Sequence, residues 1–279
     1  MTSVSADRTF QLSDGGILKY SVAGEGEPVV LLHGFGLDSS MWDPQWDAFC
    51  QRFRTLRYDL RGYGGSSLPT GPYSHLEDFH ALTRSLGMYP AHLIGLSMGG
   101  RYASRIAAHA PSAVRSLTLV DSALDGHVWS EEWLARWQAI ASAARTDVAR
   151  AKELWLTHDI FAPGRRHASV AHELKTMVER YSGWHFMHRD PGDTPSPATA
   201  EVLSRIAAPT LVIVGDQDIP DFQLIARRMA DDIPEARLQV MQGAGHMANL
   251  EKPDEFTRLV LAHLAQASAQ GSDEIAKAG

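Results

Sequence analysis

The sequence has very little cysteine and nothing that resembles a membrane span. Cys50 is the only cysteine among 279 residues, so no disulfide can form within the chain, and cysteine usage does not indicate an oxidising compartment. Residues 1–8 lack the apolar core of a signal peptide, and no apolar run is long enough to cross a bilayer. These absences predict a cytoplasmic protein with no membrane partner.

An excess of positive charge is also missing. The chain has 26 Lys and Arg against 33 Asp and Glu, which gives a formal net charge of −7. Nucleic-acid-binding proteins concentrate positive charge, so we expect no nucleic-acid partner. The hydrophobic content of 44% is ample, and a chain of this length can bury a large core as one α/β unit with an insertion.

Short apolar runs recur along the chain, with helix or turn signals between them. Most runs are continuous rather than alternating, which is typical of strands covered on both faces. The runs are Ile17–Val22, Val29–Leu32, Arg54–Tyr58, Ala91–Gly95, Val114–Val120, Thr210–Val214 and Leu238–Met241. The helix candidates are Trp42–Arg52, Leu76–Leu86, Met98–Ala110, Asp221–Ile233 and Asp254–Ala265. The pattern predicts an α/β fold with a mostly parallel sheet between helix layers.

Residues 122–205 interrupt this rhythm, because they contain helical spacing and no convincing strand. Trp129, Trp133 and Trp137 stand at i, i+4 and i+8, on one face of one expected helix. That stripe is either the packing seam of a helical insertion or part of a pocket wall. We therefore predict a core formed by residues 1–121 and 206–279 and a helical insertion at 122–205. The small, polar tail from Gln266 to Gly279 is expected to fray.

The segment Gly95-Leu96-Ser97-Met98-Gly99 lies where a predicted strand turns directly into a predicted helix. On such a sharp turn the central serine is strained, and only small residues fit two positions before and after it. The turn lifts the Ser97 hydroxyl clear of the sheet. The pattern at this position predicts that Ser97 is a nucleophile.

A serine hydroxyl needs a neighbouring base, and the base needs a carboxylate to hold its tautomer. His246 is the predicted base, because its Gly-punctuated loop follows the last strand and lies at the same sheet edge as Ser97. Asp218 is the predicted acid, in the loop after the strand Thr210–Val214. We expect Asp216 to cap a turn or strand end and Asp221 to cap a helix. Asp121, which ends another strand, is the alternative acid and otherwise caps the exit into the insertion.

The remaining histidines and glycine-rich turns have plainer interpretations. Pairs such as His185 and His188 lack acid or cysteine partners at ligand spacing, so we predict no metal site and place the insertion histidines at the surface or in packing. The turn from Arg61 to Ser67 lacks the lysine and spacing of a phosphate-binding loop. An oxyanion would be bound by the amides of Met98 and Phe35, the latter in the segment His33-Gly34-Phe35-Gly36, where His33 itself is expected to be structural.

Taken together, the motifs resemble those of the α/β-hydrolase fold superfamily, in its serine-triad branch of carboxylesterases and enol-lactonases. The segments that carry the resemblance follow the family's order and span nearly the whole chain outside the insertion, which corresponds to the family's helical cap. They are His33–Gly36, Asp59–Ser66, Gly95–Gly100, Gly215–Asp218 and Gly243–Pro253. Related dehalogenases and epoxide hydrolases carry an aspartate where Ser97 stands. C–C hydrolases of aromatic ring-fission products typically have Trp after the histidine, where this chain has Met247.

The resemblance implies a serine hydrolase that cleaves a small, largely apolar carboxylic ester or lactone through an acyl-enzyme. Ser97, His246 and Asp218 would form its triad, and no cofactor would be required. Two alternatives stay open. One is C–C bond hydrolysis or perhydrolysis on the same triad, and the other is a ligand receptor that turns over slowly.

Overall fold

The central feature of the computed structural model is an eight-stranded sheet in the order β1-β2-β4-β3-β5-β6-β7-β8. The structure describes residues 7–278, with side chains as far as Gln270. The strands are β1 (Arg8–Gln11), β2 (Ile17–Ala23), β3 (Pro28–Leu32), β4 (Arg54–Tyr58), β5 (Ala91–Leu96), β6 (Val114–Val120), β7 (Thr210–Gly215) and β8 (Ala236–Met241). Strands β3 to β8 run parallel, whereas β1 and β2 pair antiparallel at one edge.

The sheet is sandwiched by helices, as the continuous apolar runs predict. The core helices are α1 (Asp43–Cys50), α2 (His75–Ser85), α3 (Met98–His109), α8 (Pro220–Asp232), α9 (Ala248–Glu251) and α10 (Pro253–Ala278). Helices α1 and α10 contact each other, and α2 contacts α3. The central strands are covered on both faces, and every residue of β5 and β7 is buried, whereas half of the residues of the edge strand β8 are exposed. The predicted α/β fold with a mostly parallel sheet is confirmed.

The segment between β6 and β7 is helical. It contains α4 (Glu131–Ala144), α5 (Val148–Leu156), α6 (Ala168–Arg180) and α7 (Trp184–Met187), with short 3-10 turns between α5 and α6 and after α7. The ring of Phe35, which follows β3, packs against Trp137, Trp155 and Phe186 from this segment, with ring centroids 5.1 to 5.6 Å apart. The segment therefore covers the carboxyl edge of the sheet, although the boundaries at 121/122 and 205/206 stay a prediction.

The C-terminal tail differs from the sequence-based expectation. Helix α10 continues without a break from Pro253 to Ala278, so the prediction that Gln266–Gly279 frays is wrong for the backbone of 266–278. The alanines in this stretch are strong helix formers. The small residues therefore extend the helix.

The sequence predicts that the chain has no membrane span and that it is cytoplasmic. Across residues 7–278, the structure contains no helix of the length and apolarity that a bilayer crossing requires. Residues 1–6, on which the expected absence of a signal peptide depends in part, lie outside the described residues. Cytoplasmic residence stays a prediction.

Candidate active site

Ser97 occupies the turn between β5 and α3 with φ 54° and ψ −113°, a left-handed conformation that L residues rarely adopt. A Cβ on Gly95 would lie 2.3 Å from the Gly99 carbonyl oxygen, and a Cβ on Gly99 would lie 2.1 Å from that of Leu32. Only glycine fits at both positions, as the sequence predicts. The tight packing holds the strained serine at the carboxyl edge of the sheet.

His246 and Asp218 lie together at the same edge, after β8 and β7. His246 Nδ1 is 2.8 Å from Asp218 Oδ2, and both side chains are buried. The other Asp218 oxygen accepts the Ile219 amide at 2.7 Å. The structure thus brings the predicted base and acid into direct contact.

The loop that carries His246 is fixed by Glu251. Its carboxylate accepts the amide of Gly245 at 2.8 Å and that of Met247 at 3.1 Å, so the backbone on both sides of His246 is held. Glu251 is itself nearly buried, where such charge-assisted hydrogen bonds are strong. The sequence identifies this glutamate only as part of the segment Gly243–Pro253, with no separate role.

The segment after β3 supplies a second set of backbone groups. His33 is fully buried and accepts the Leu60 amide at 2.9 Å, while its other ring nitrogen pairs with the Gly34 carbonyl at 2.8 Å. Its expected structural role agrees with these contacts. Within residues 7–278, the amides of Phe35 and Met98 donate to no backbone or side-chain acceptor. Both are free to bind an anion.

A cavity of about 300 Å³ opens beside Ser97. The three tryptophans of the stripe all line it, so the stripe belongs to a pocket wall as well as to packing. Trp129 precedes α4 rather than lying in it, and its ring stacks on that of Trp133 at 4.5 Å. The other aromatic side chains in the wall are Phe35, Tyr63, Tyr102, Trp155 and Phe222.

The cavity also has a polar side that the sequence analysis missed. His185 and His188 line it together with Arg101 and Asp190. His185 packs on Tyr63 and His188 is exposed, as expected, and both also contribute to the cavity wall. Burial lowers the pKa of His185 to about 4, which keeps its ring neutral near pH 7. Arg101 follows Ser97 by one helical turn, and that spacing was the available signal.

The other three acidic residues that the sequence offered as candidates or caps make different contacts. Asp216 accepts the Gly243 amide at 2.6 Å, a turn-capping role close to the one expected. Asp221 is not a helix cap, because Ile219 is the N-cap of α8 and Asp221 instead accepts the amide and hydroxyl of Ser130 in the insertion. Asp121 is fully buried and accepts the Gly215 amide at 2.8 Å.

Comparison with known proteins places this geometry in a family. The sequence profile of the alpha/beta hydrolase fold matches residues 27–253. The chain is 29% identical to 3-oxoadipate enol-lactonase 2 of Acinetobacter baylyi, over 87% of this chain and 91% of that protein. It is 26% identical to carboxylesterase YbfK of Bacillus subtilis, over 85% and 79%.

A solved structure gives the same answer at the level of the fold. The crystal structure of the enol-lactonase from Burkholderia xenovorans LB400 superposes with a TM-score of 0.76 and 29% identity, covering 92% of this chain and all of that one. The profile match, the relatives and the superposition agree with the observed α/β fold. The chain belongs to the α/β-hydrolase fold family and resembles its esterases and lactonases.

Proposed function

We propose that the protein is a serine hydrolase that cleaves a small, largely apolar carboxylic ester or lactone through an acyl-enzyme. The observation that supports this most directly is the position of Ser97, which stands on a strained turn in the wall of an aromatic cavity. The hydrogen-bonded His246 and Asp218 lie at the same sheet edge, and Phe222 bridges the two parts. Its ring lies 4.3 Å from that of His246 and also lines the cavity.

In the proposed first step, the Ser97 hydroxyl attacks the substrate carbonyl carbon and its proton passes to Nε2 of His246. Asp218 accepts the Nδ1–H of His246 at 2.8 Å, which keeps Nε2 free to take that proton and stabilises the imidazolium that forms. The carbonyl oxygen then carries the negative charge. The free amides of Phe35 and Met98 would bind this oxyanion, and the N-terminal end of α3 adds its favourable dipole.

In the next steps, His246 returns the proton to the leaving alkoxide as the carbon–oxygen bond breaks. This leaves Ser97 acylated. A water molecule gives a proton to His246 and attacks the acyl carbon. As the second tetrahedral intermediate collapses, the bond from the acyl carbon to the Ser97 oxygen breaks, His246 returns the proton to that oxygen, and the carboxylic acid leaves. With a lactone, the alcohol remains tethered to the acyl group, and hydrolysis releases a single hydroxy acid.

The cavity limits the size of the substrate. Its volume of about 300 Å³ is at the lower end of the usual range of about 300–1,000 Å³ for small-molecule sites. The tryptophan wall favours an apolar acyl or aryl group, because burying such surface in contact with aromatic rings is favourable. We expect short-chain esters and small lactones to fit and triglycerides to be too large.

Hydrolysis of a series of aryl esters and lactones by the purified protein tests the proposal. Ser97→Ala should lower kcat/KM by about 10⁴–10⁶-fold, as removal of a triad nucleophile does. Ser142→Ala, at an exposed serine of α4, is the matched control and should behave as wild type. A serine-directed phosphonate should label wild type and the control but not Ser97→Ala.

Two results would contradict the proposal. Retention of more than about a tenth of the activity in Ser97→Ala would exclude Ser97 as the nucleophile. Efficient cleavage of a vinylogous diketone with little ester hydrolysis would instead assign the same triad to C–C bonds.

A further inference from the structure

We propose that Asp121 is a positioning residue for the reaction, a neutral carboxylic acid that donates a hydrogen bond to Asp218 and so moderates how strongly Asp218 holds a proton on His246. The inference rests on the proposed function of His246 and Asp218. It adds a fourth member to their network, from a different strand.

The backbone fixes Asp121 at this place. It directly follows β6 with φ 41°, and its amide donates to the Ile213 carbonyl of the neighbouring β7 at 2.8 Å. Its Oδ1 accepts the Gly215 amide, also at 2.8 Å. Because Asp218 comes three residues after Gly215, the last residue of β7, the two carboxyl groups meet where these adjacent strands end.

The contacts leave one oxygen of Asp121 without a donor. Within the described residues, Oδ2 of Asp121 is buried and accepts no hydrogen bond from any donor. One carboxylate oxygen of Asp121, one of Asp218 and a ring nitrogen of His246 all lie within 4.8 Å of one another. A buried carboxylate oxygen without a donor is costly, whereas a carboxylic acid at the same place can itself donate.

The surrounding charges favour the neutral acid. Burial, and then the negative charge of Asp218, raise the pKa of the Asp121 carboxyl well above its ordinary value, and Glu251 acts in the same direction. His158 of the insertion does not balance these charges, since burial lowers its pKa to about 4. Within residues 7–278, neither Asp121 nor Asp218 is paired with a lysine or arginine.

The position of the proton then follows from the hydrogen bonds. Oδ1 of Asp121 already accepts the Gly215 amide, so the proton resides on Oδ2 and its acceptor is the carboxylate of Asp218. A carboxylate that receives this additional hydrogen bond is a weaker base. Asp218 therefore orients His246 without trapping it as the imidazolium, and the ring is available to accept the Ser97 proton.

Two substitutions separate the neutral acid from other roles. In Asp121→Asn, the amide oxygen would accept the Gly215 amide and the NH2 group would replace the O–H toward Asp218. This variant should keep kcat/KM within about threefold and leave the acid limb of the pH profile in place. In Asp121→Ala the donor is lost, His246 becomes harder to deprotonate, and the acid limb should move up by about one pH unit.

Asp216→Asn and Asp216→Ala are the matched controls, because Asp216 lies two residues from Asp218 but is exposed and bonds only to turn backbone. They should leave the limb unchanged. If Asp121 were ionised, both of its variants would remove a negative charge and move the limb down. If it were only structural, neither variant would move the limb and only the melting temperature would fall. Either result overturns the proposal.

An infrared difference spectrum tests the proton without turnover. The wild type minus Asp121→Asn spectrum at neutral pH should show the C=O band of a protonated carboxylic acid, and the wild type minus Asp216→Asn spectrum should not. Absence of that band overturns the proposal even if Asp121→Ala fails to fold. A protein that shows the band but hydrolyses no ester would refute the proposed function while leaving the protonation of Asp121 intact.

Discussion

Asp221, in the first turn of α8, accepts hydrogen bonds from both the amide and the hydroxyl of Ser130, at 2.9 and 2.7 Å. His127 adds a third contact at 3.2 Å. Ser130 is the N-cap of α4, and α4 contributes Trp133 and Trp137 to the cavity wall. A single carboxylate on α8 therefore fixes the start of that helix. The attachment of the insertion therefore depends on a charged group.

Stability should reflect this attachment with a definite pH dependence. Burial alone would raise the pKa of Asp221, but the hydrogen bonds from Ser130 and His127 lower it below its ordinary value. A carboxyl whose pKa is depressed by folding contributes stability above its unfolded-state pKa of about 3.9, and that stability is lost as the pH falls through the folded-state value. Asp221→Asn should melt at a lower temperature than wild type near pH 6, and the difference should shrink at acid pH.

Asp232→Asn provides the control, because Asp232 lies on the same helix in an exposed pair with Arg228. Its melting temperature should stay close to that of wild type at each pH. A melting difference for Asp221→Asn that is constant between pH 6 and pH 3 would show that the charge of Asp221 does not matter.

Asp218→Asn should reduce kcat/KM by about 10³–10⁴-fold with little change in melting temperature, because an amide favours the wrong tautomer of His246. Asp216→Asn, two residues away and exposed, should retain its activity. Steady-state kinetics on one aryl ester decides the point. If the kinetic loss occurs in Asp121→Asn and not in Asp218→Asn, the acid that orients His246 is Asp121.

Activity should rise with pH across the range in which imidazoles lose their proton, because only a neutral His246 can accept the proton of Ser97. The same profile should be obtained with and without a chelator, since the proposed mechanism uses no metal or cofactor. A large loss in chelator that a divalent metal restores would show that a metal site had been missed.

The catalytic motifs are the part of the site that the sequence predicts best. The serine turn, the histidine loop and the acid loop each follow a strand, and parallel strands deliver all three to one sheet edge. The Asp218–His246 contact at 2.8 Å is what that topology leads one to expect. Strand β1 was missed, because Arg8–Gln11 is short and largely exposed and has no apolar run.

The polar side of the cavity could not be predicted in the same way. An arginine on a helix usually faces solvent, so the sequence gives no reason to place Arg101 in a pocket. The cavity wall beside Arg101 forms only when the insertion packs over the core. His185 and His188 lie on or beside the four-residue helix α7, whose position depends on contacts such as the stacking of His185 on Tyr63 at 4.4 Å. These tertiary contacts leave no periodic signal in the sequence.

Alanine substitutions at Trp129, Trp133 and Trp137 should alter the ranking of ester substrates, because all three side chains line the cavity. Each methylene of substrate that loses its contact would cost about 0.8 kcal/mol, or roughly fourfold in kcat/KM if the contact persists in the transition state. The decline should be steeper for butyryl or aryl esters than for acetyl esters.

Trp46→Ala is the matched control for this series. Trp46 is a buried core tryptophan in α1, outside the cavity wall, so its loss should lower the melting temperature and leave the ratio of butyryl to acetyl turnover unchanged. Kinetics on the two esters for all four variants gives the comparison. If the insertion tryptophans behave like Trp46, they act in packing alone, and substrate choice must come from the polar side formed by Arg101 and its neighbours.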